Sequence, residues 1–277
     1  METMGIQKIC QKKCLAWVIF LVLIGSNLSA HSPEDSFRKL SLREKRTLGY
    51  FFDTAIKRDH LGHVLFFSTK PACMSVINTN EKEQALFAQG WDIWKSKENL
   101  FQHPNFIIYD EKCEDRIYIY FINKKTLFAQ LAPQEKCLKE LFGDSFSIKE
   151  LVEKLEQKKF QPLINKDHVL LGILLGYGLE SSLQYKQYIT LDQQDLQQDL
   201  TGILCAADEL VETIQVDNVT FCQLKSKTEI HPVTFIGNSN SEEVKRLKEI
   251  YSKELIKIDG IYSSKDLLRI CLKKICD

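Results

Sequence analysis

Apolar residues recur at helical spacing along most of this chain and alternate, or run together, in a few short stretches. Behind Ser41-Leu42-Arg43-Glu44, which has the form of a capping box, Leu48, Phe51, Phe52 and Ala55 share one helical stripe and predict a helix ending near Asp59. Short strands are predicted at Val64–Phe67 and Cys73–Ile77, joined as a hairpin across STKPA, where Pro71 favours a turn and cannot donate to a ladder. Leu86, Trp91 and Trp94 mark a second helix over Glu81–Leu100, interrupted by Pro104. A second hairpin pairs Phe106–Tyr109 with Ile117–Ile122 across DEKCEDR. Its run IYIYFI is apolar on both faces, which predicts a sheet covered on both sides.

Helices follow at Lys124–Leu131, Glu135–Phe142 and Ile148–Gln157, the last opened by Ser147-Ile148-Lys149-Glu150. A long helix is expected from Lys166 to about Tyr188, with Asn165 as its cap and Asp167 near its positive end. The polar patch DQQDLQQDL separates it from Ile203–Val211, and strands are expected at Val219–Leu224 and Val233–Ile236. Asn240 and Glu243 are read as caps of a helix whose stripe is Val244, Leu247, Tyr251, Leu255 and Ile258. Glu242/Arg246 and Glu249/Lys253 form pairs four apart on it, and Ser263 starts a last helix. Together these elements predict an α+β fold: a small, mostly antiparallel sheet covered by helices, with a helical C-terminal third.

The first thirty residues stand outside that pattern. Lys8, Lys12 and Lys13 precede the apolar run Leu15–Gly25, and NLSA ends in small residues, the three-part arrangement of a secretory signal peptide cleaved after Ala30. Eleven apolar residues span only about half of a bilayer core of roughly 30 Å, so an uncleaved membrane tether is the alternative reading. Residues 31–277 are then read as one α+β domain, with a subdivision near residue 160 as the alternative. They carry 34 basic and 36 acidic side chains, a net charge of −2. Without a basic excess the electrostatic footprint of nucleic-acid binding is missing, and no stable membrane span is expected once the leader is gone.

Seven cysteines remain in that part, an odd number whose spacing identifies no pairs. Cys271 and Cys276, five apart on a helix, point about 140° apart and are not expected to bond to each other.

Leu170–Gly178, LLGILLGYG, admits three readings: a membrane segment, a phosphate loop or a closely packed helix. It is too short and too closely flanked by Lys166, Asp167 and Glu180 to span a bilayer, and it lacks a Gly-Lys-Ser/Thr ending. Close packing is the expectation, with Gly172 and Gly176 on one helical face.

Other candidate chemistry is outweighed by structural roles. His60 and His63 are spaced to share a metal but have no further ligands nearby; Cys73 beside Pro71 is a conceivable nucleophile with either histidine as base. Trp91 and Trp94 share a face that could stack on a sugar or peptide, against core packing as the default. The pairs Glu153/Glu156 and Glu242/Glu243 read as solvated faces and capping charge. No catalytic, cofactor-binding or metal residue is assigned.

The stretches FFSTKPACMSV, GWDIWK, NFIIY, FINKKTLF, LLGILLGYG and PVTFIGNSNSEEVKRLKEIY occur in this order over about residues 64–256. In them the chain resembles an uncharacterised secreted or envelope protein family of intracellular bacteria. The resemblance implies a bacterial envelope or secreted location and supplies no catalytic residue. Ser68-Thr69 and Ala72-Cys73 flank Lys70-Pro71 where the family is richer in Gly and Ser, which weakens any role for Lys70. The expected function is that of an exported, non-enzymatic binding or interaction protein with a protein or envelope partner. The alternative is a hydrolase acting on envelope material.

Overall fold

The computed structural model describes residues 32–158, 167–190, 203–205, 211–216, 219–224, 229–238 and 240–277. The leader, Asn165, Lys166 and the patch DQQDLQQDL lie outside the described residues.

Helices α1 (Pro33–Arg38), α2 (Leu42–Asp59) and α3 (Leu61–Phe66) lead into strand β1 (Ala72–Asn78). Helix α4 (Ala85–Lys97) precedes the hairpin β2 (Phe106–Cys113) and β3 (Arg116–Asn123). Then come α5 (Lys124–Leu131), α6 (Glu135–Phe142), α7 (Ile148–Glu156), α8 (His168–Leu174) and α9 (Leu179–Thr190). Short strands β4 (Ile203–Cys205), β5 (Val211–Val216), β6 (Val219–Leu224) and β7 (Thr234–Ile236) are followed by α10 (Glu242–Tyr262) and α11 (Leu267–Cys276).

The main sheet is antiparallel, in the order β1-β3-β2, with Ser75 opposite Ile119 and Tyr109 opposite Tyr120. Because side chains alternate across a strand, Ile119 and Phe121 of β3 face one core while Tyr120 and Ile122 face another. The first core joins Phe51, Phe52, Trp91, Trp94, Leu255 and Cys271; the second joins Leu127, Leu138, Leu151, Leu155 and Ile173. Both faces are therefore covered by helices, and the fold is α+β as the pattern predicts. Every large side chain so buried contributes roughly 1.5–3 kcal/mol relative to exposure.

Local chemistry explains most boundaries. Ser41 and Glu44 make the reciprocal capping box at α2, whereas Ser147 accepts from the Glu150 amide at α7. His60, at φ 64°, ends α2 in the left-handed region.

Several expectations need correction. Val64–Phe67 is not a strand and makes no hairpin with β1: Leu61–Phe66 is a helix buried on nearly all sides, and β1 pairs with β3 instead. A short apolar run has no period to distinguish the two states, and full burial satisfies either. The expected helix from Lys166 to Tyr188 is two helices, broken after Leu174. Ser241, not Asn240 or Glu243, caps α10, and Glu242 pairs with Lys245 at 2.8 Å rather than with Arg246. The last helix starts at Leu267; Ser263 instead closes α10. Glu249 and Lys253 do pair as expected, and the stripe from Val244 to Ile258 is buried throughout.

Among the described residues no helix is long and apolar enough to cross a membrane.

Candidate functional site

The glycine segment is where the two halves of the chain meet. Helix α8 begins with Asp167, whose carboxylate accepts from the amides of Val169 and Leu170, and it ends in a Schellman motif. The Gly176 amide donates to Ile173 O at 2.9 Å and the Tyr177 amide to Gly172 O at 3.0 Å. Gly176 at φ 80° and Gly178 at φ 83° occupy the left-handed region, which is why the helix breaks there.

Gly172 and Gly176 thus do not share a helical face, but both serve close packing. A Cβ on Gly172 would collide with Ser182 Oγ, and one on Gly176 would fall 2.7 Å from the Tyr251 hydroxyl and 3.0 Å from Pro71 Cδ. At Gly178 the missing side chain makes room for the Glu243 carboxylate. That carboxylate accepts from the Leu179 and Glu180 amides at 3.1 and 2.8 Å. Glu243 is therefore the cap of α9, a helix other than its own.

Behind this turn lies a buried polar cluster drawn from α3, the loop before β1, the turn itself and α10. The Lys70 ammonium, 1 % exposed, donates to Leu175 O and sits 4.6 Å from the centre of the Tyr177 ring. Tyr251 donates to Gly176 O. Between them these two side chains satisfy carbonyls freed at the end of α8, where a cation is also favoured by the helix dipole. Glu254 accepts from the Thr69 hydroxyl, and its other oxygen lies 2.8 Å from His63 Nδ1, with one proton between them. The His63 ring meets Tyr251 edge-on, 5.3 Å between centres.

Burial sets the charge states. It pushes Glu254 up to about 7, partly offset by the Thr69 hydrogen bond and by Lys257 and Lys70. It pulls Lys70 down to about 8 against the opposing pull of Cys73 and Glu254. Burial first and the Lys70 charge second bring His63 down to about 3, so its imidazole is neutral at physiological pH. His60 is held well below its ordinary value by burial, and its Nε2 donates to Pro232 O at 3.1 Å. The Cys73 thiol is pushed far up by burial and stays protonated.

The chemistry weighed from sequence now has locations. His60 and His63 lie 6.4 Å apart, ring to ring, each engaged by a different partner. Among the described residues no group of three or more His, Cys, Asp or Glu side chains could hold a metal ion. Trp91 and Trp94 are core residues: Trp91 donates to Asp110 at 2.8 Å, and Trp94 stacks on Phe101 at 5.4 Å. Glu153 and Glu156 reach Lys149 and Lys124 at the surface. Cys73, Cys113, Cys137, Cys271 and Cys276 are free thiols.

Sequence reading passed over Glu254, Thr69 and Tyr251 as a cluster. One signal was present: Glu254 falls on the apolar stripe of α10 beside Leu255, where a carboxylate needs a buried partner.

On the other side of the turn is an open, mostly apolar pocket of about 310 Å³. Leu171, Leu175, Tyr177, Ser181, Tyr185 and Phe235 are among its walls. It shares Leu175 and Tyr177 with the buried cluster, so a single layer of residues separates pocket from cation. No family model, curated protein or solved structure matches the chain.

Proposed function

We propose that this chain is an exported, non-enzymatic binding protein of the periplasm, envelope or secreted fraction, and that the pocket beside the glycine turn is its binding site. One contrast carries the reading. His63, Lys70, Cys73 and Glu254 are at most 5 % exposed, whereas the pocket beside the glycine turn is mostly apolar, with Leu171, Leu175, Tyr177 and Phe235 in its walls. The hydrolase reading weighed on His60, His63 and Cys73 draws less support, since His63 and Cys73 are each 1 % exposed. The buried cluster acts instead as a clasp that fixes the turn forming the pocket's back wall.

The secretory pattern of the first thirty residues supports export, and the resemblance to an envelope or secreted family agrees with it. Cell fractionation with N-terminal sequencing tests this: a mature chain starting at His31 in the exported fraction is expected. A cytosolic chain keeping Met1 would overturn it.

A further inference from the structure

We infer that the chain forms a weak symmetric dimer in which helix α5 of one copy lies in the groove between α5 and α7 of the other.

That groove is open, mostly apolar and about 610 Å³ in volume. Lys124, Lys125, Phe128 and Ala129 of α5 form one wall, since residues four apart share a helical face; Val152, Glu153 and Glu156 of α7 form the other, with Lys149 one turn earlier. Phe128 is 54 % exposed, and among the described residues it is the one exposed phenylalanine. An aromatic ring left in water beside an apolar groove is stabilised by any arrangement that buries it. Past Asn105, Lys125 and Ala129 the groove continues into a second concavity of about 390 Å³ that reaches Phe66, Phe67 and Phe106. A band of that length suits a helix laid along it better than a single side chain.

Charge selects which helix. Within the chain Lys124 pairs with Glu156 at 2.8 Å, whereas Glu153 reaches only Lys149, at 3.7 Å, and the Lys149 side chain is 85 % exposed. Lys125 is exposed and makes no ion pair among the described residues. The α5 wall is therefore basic and the α7 wall acidic on balance. A uniformly acidic or uniformly basic partner would meet a wall of its own sign. A second copy would not: a two-fold axis along the groove sets α5 of each copy against α7 of the other. Lys125 then faces Glu153 of the second copy in both directions, and each Phe128 covers Val152 and Ala129 of the other chain. A groove framed by two short helices implies a dimer that forms with rising concentration.

Sedimentation velocity of the chain without its leader, from about 1 to 200 µM, tests this. The weight-average coefficient is expected to rise from that of a monomer toward that of a dimer, and about 0.5 M salt to weaken the rise. Phe128→Glu is expected to hold the chain monomeric throughout, with its circular dichroism unchanged because the ring it replaces is more than half exposed. Lys125→Glu and Glu153→Lys should each weaken dimerisation about tenfold or more, because each sets like charges opposite each other twice in the symmetric pair. Mixed in equal amounts, the two variants should regain the parent's affinity, since both cross-contacts are again between opposite charges. That readout stands whether or not Phe128→Glu folds.

A parent chain that stays monomeric to about 200 µM would overturn the second copy as occupant and leave the groove to another molecule. A dimer unaffected by Phe128→Glu, or a mixture no stronger than either charge variant alone, would put the contact elsewhere and overturn the inference as well.

Discussion

Replacing Gly176 by alanine tests the packing of the glycine turn more sharply than any other single change. The backbone there sits at φ 80°, which costs a non-glycine residue about 1–2 kcal/mol. The new methyl would also meet the Tyr251 hydroxyl at 2.7 Å, Pro71 Cδ at 3.0 Å and Lys70 Cα at 3.3 Å. Two of these three neighbours belong to a proline ring and a backbone that cannot step aside, and overpacking of this kind costs about 1–3 kcal/mol. The total is a loss of about 2–5 kcal/mol.

Gly49→Ala provides the opposite case. Gly49 lies inside α2, and a Cβ there would have open space for 4 Å around it, so alanine should gain about 0.5–1 kcal/mol in helix propensity. Urea titration followed by tryptophan fluorescence and circular dichroism reads both variants. With a denaturant slope of about 1–3 kcal/mol per molar, Gly176→Ala should lower the midpoint by about 1 M or more, while Gly49→Ala raises it slightly. A Gly176→Ala midpoint within about 0.2 M of the parent would refute the packing argument, because neither the backbone penalty nor the contacts could then be as described.

Other outcomes follow from the same residues. Glu243→Ala removes the cap of α9 and should destabilise the protein by about 1–2 kcal/mol, with faster hydrogen exchange at the Leu179 and Glu180 amides. Between pH 4.5 and 7 native Glu254 keeps a proton that the unfolded chain has lost, so its contribution is present below 4.5 and lost as pH rises through about 7. His63 and His60 act oppositely, since only the unfolded chain protonates them below 6.5, and stability falls as pH drops. Glu254→Gln should therefore steepen the acid-side loss by about one proton, roughly 1.4 kcal/mol per pH unit between pH 5 and 6.5, read from denaturation midpoints across pH. Native Lys70 loses its proton near 8 and the unfolded side chain near 10.5, so stability should rise from pH 8 to 9.5, and Lys70→Met should remove that rise in the same titration. Maleimide labelling mapped by mass spectrometry should modify exposed Cys113 readily in the native state, and buried Cys73 and Cys271 only on unfolding.

Much of the fold was legible because periodicity and burial coincide. The stripe of α10 and the two-sided apolar run of β3 declared which faces are covered; the stripe is buried as read, and so is β3 from Ile119 to Ile122, with Ile117 and Tyr118 half-buried. What sequence could not resolve depends on contacts between distant segments. Leu61–Phe66 is too short for a period to separate helix from strand, and its burial against Ile258 at Gly62 is decided some two hundred residues away. Gly176 looked like a helix-interior glycine until its left-handed backbone was seen, although glycine is the usual residue at that end position. Glu243 sat where it could cap its own helix, yet it reaches across to α9, a choice that only tertiary geometry makes. Likewise, Glu254 lies 191 residues from His63, and no local spacing announces that the two meet.

Native mass spectrometry of the chain purified from its natural exported fraction addresses the central claim directly, since one spectrum reports both processing and occupancy. The expected result is a mature chain beginning at His31 and carrying a small bound molecule that is absent when Leu171→Trp fills the pocket. A chain that retains its first thirty residues, or one whose bound molecule is unaffected by filling the pocket, would contradict the account.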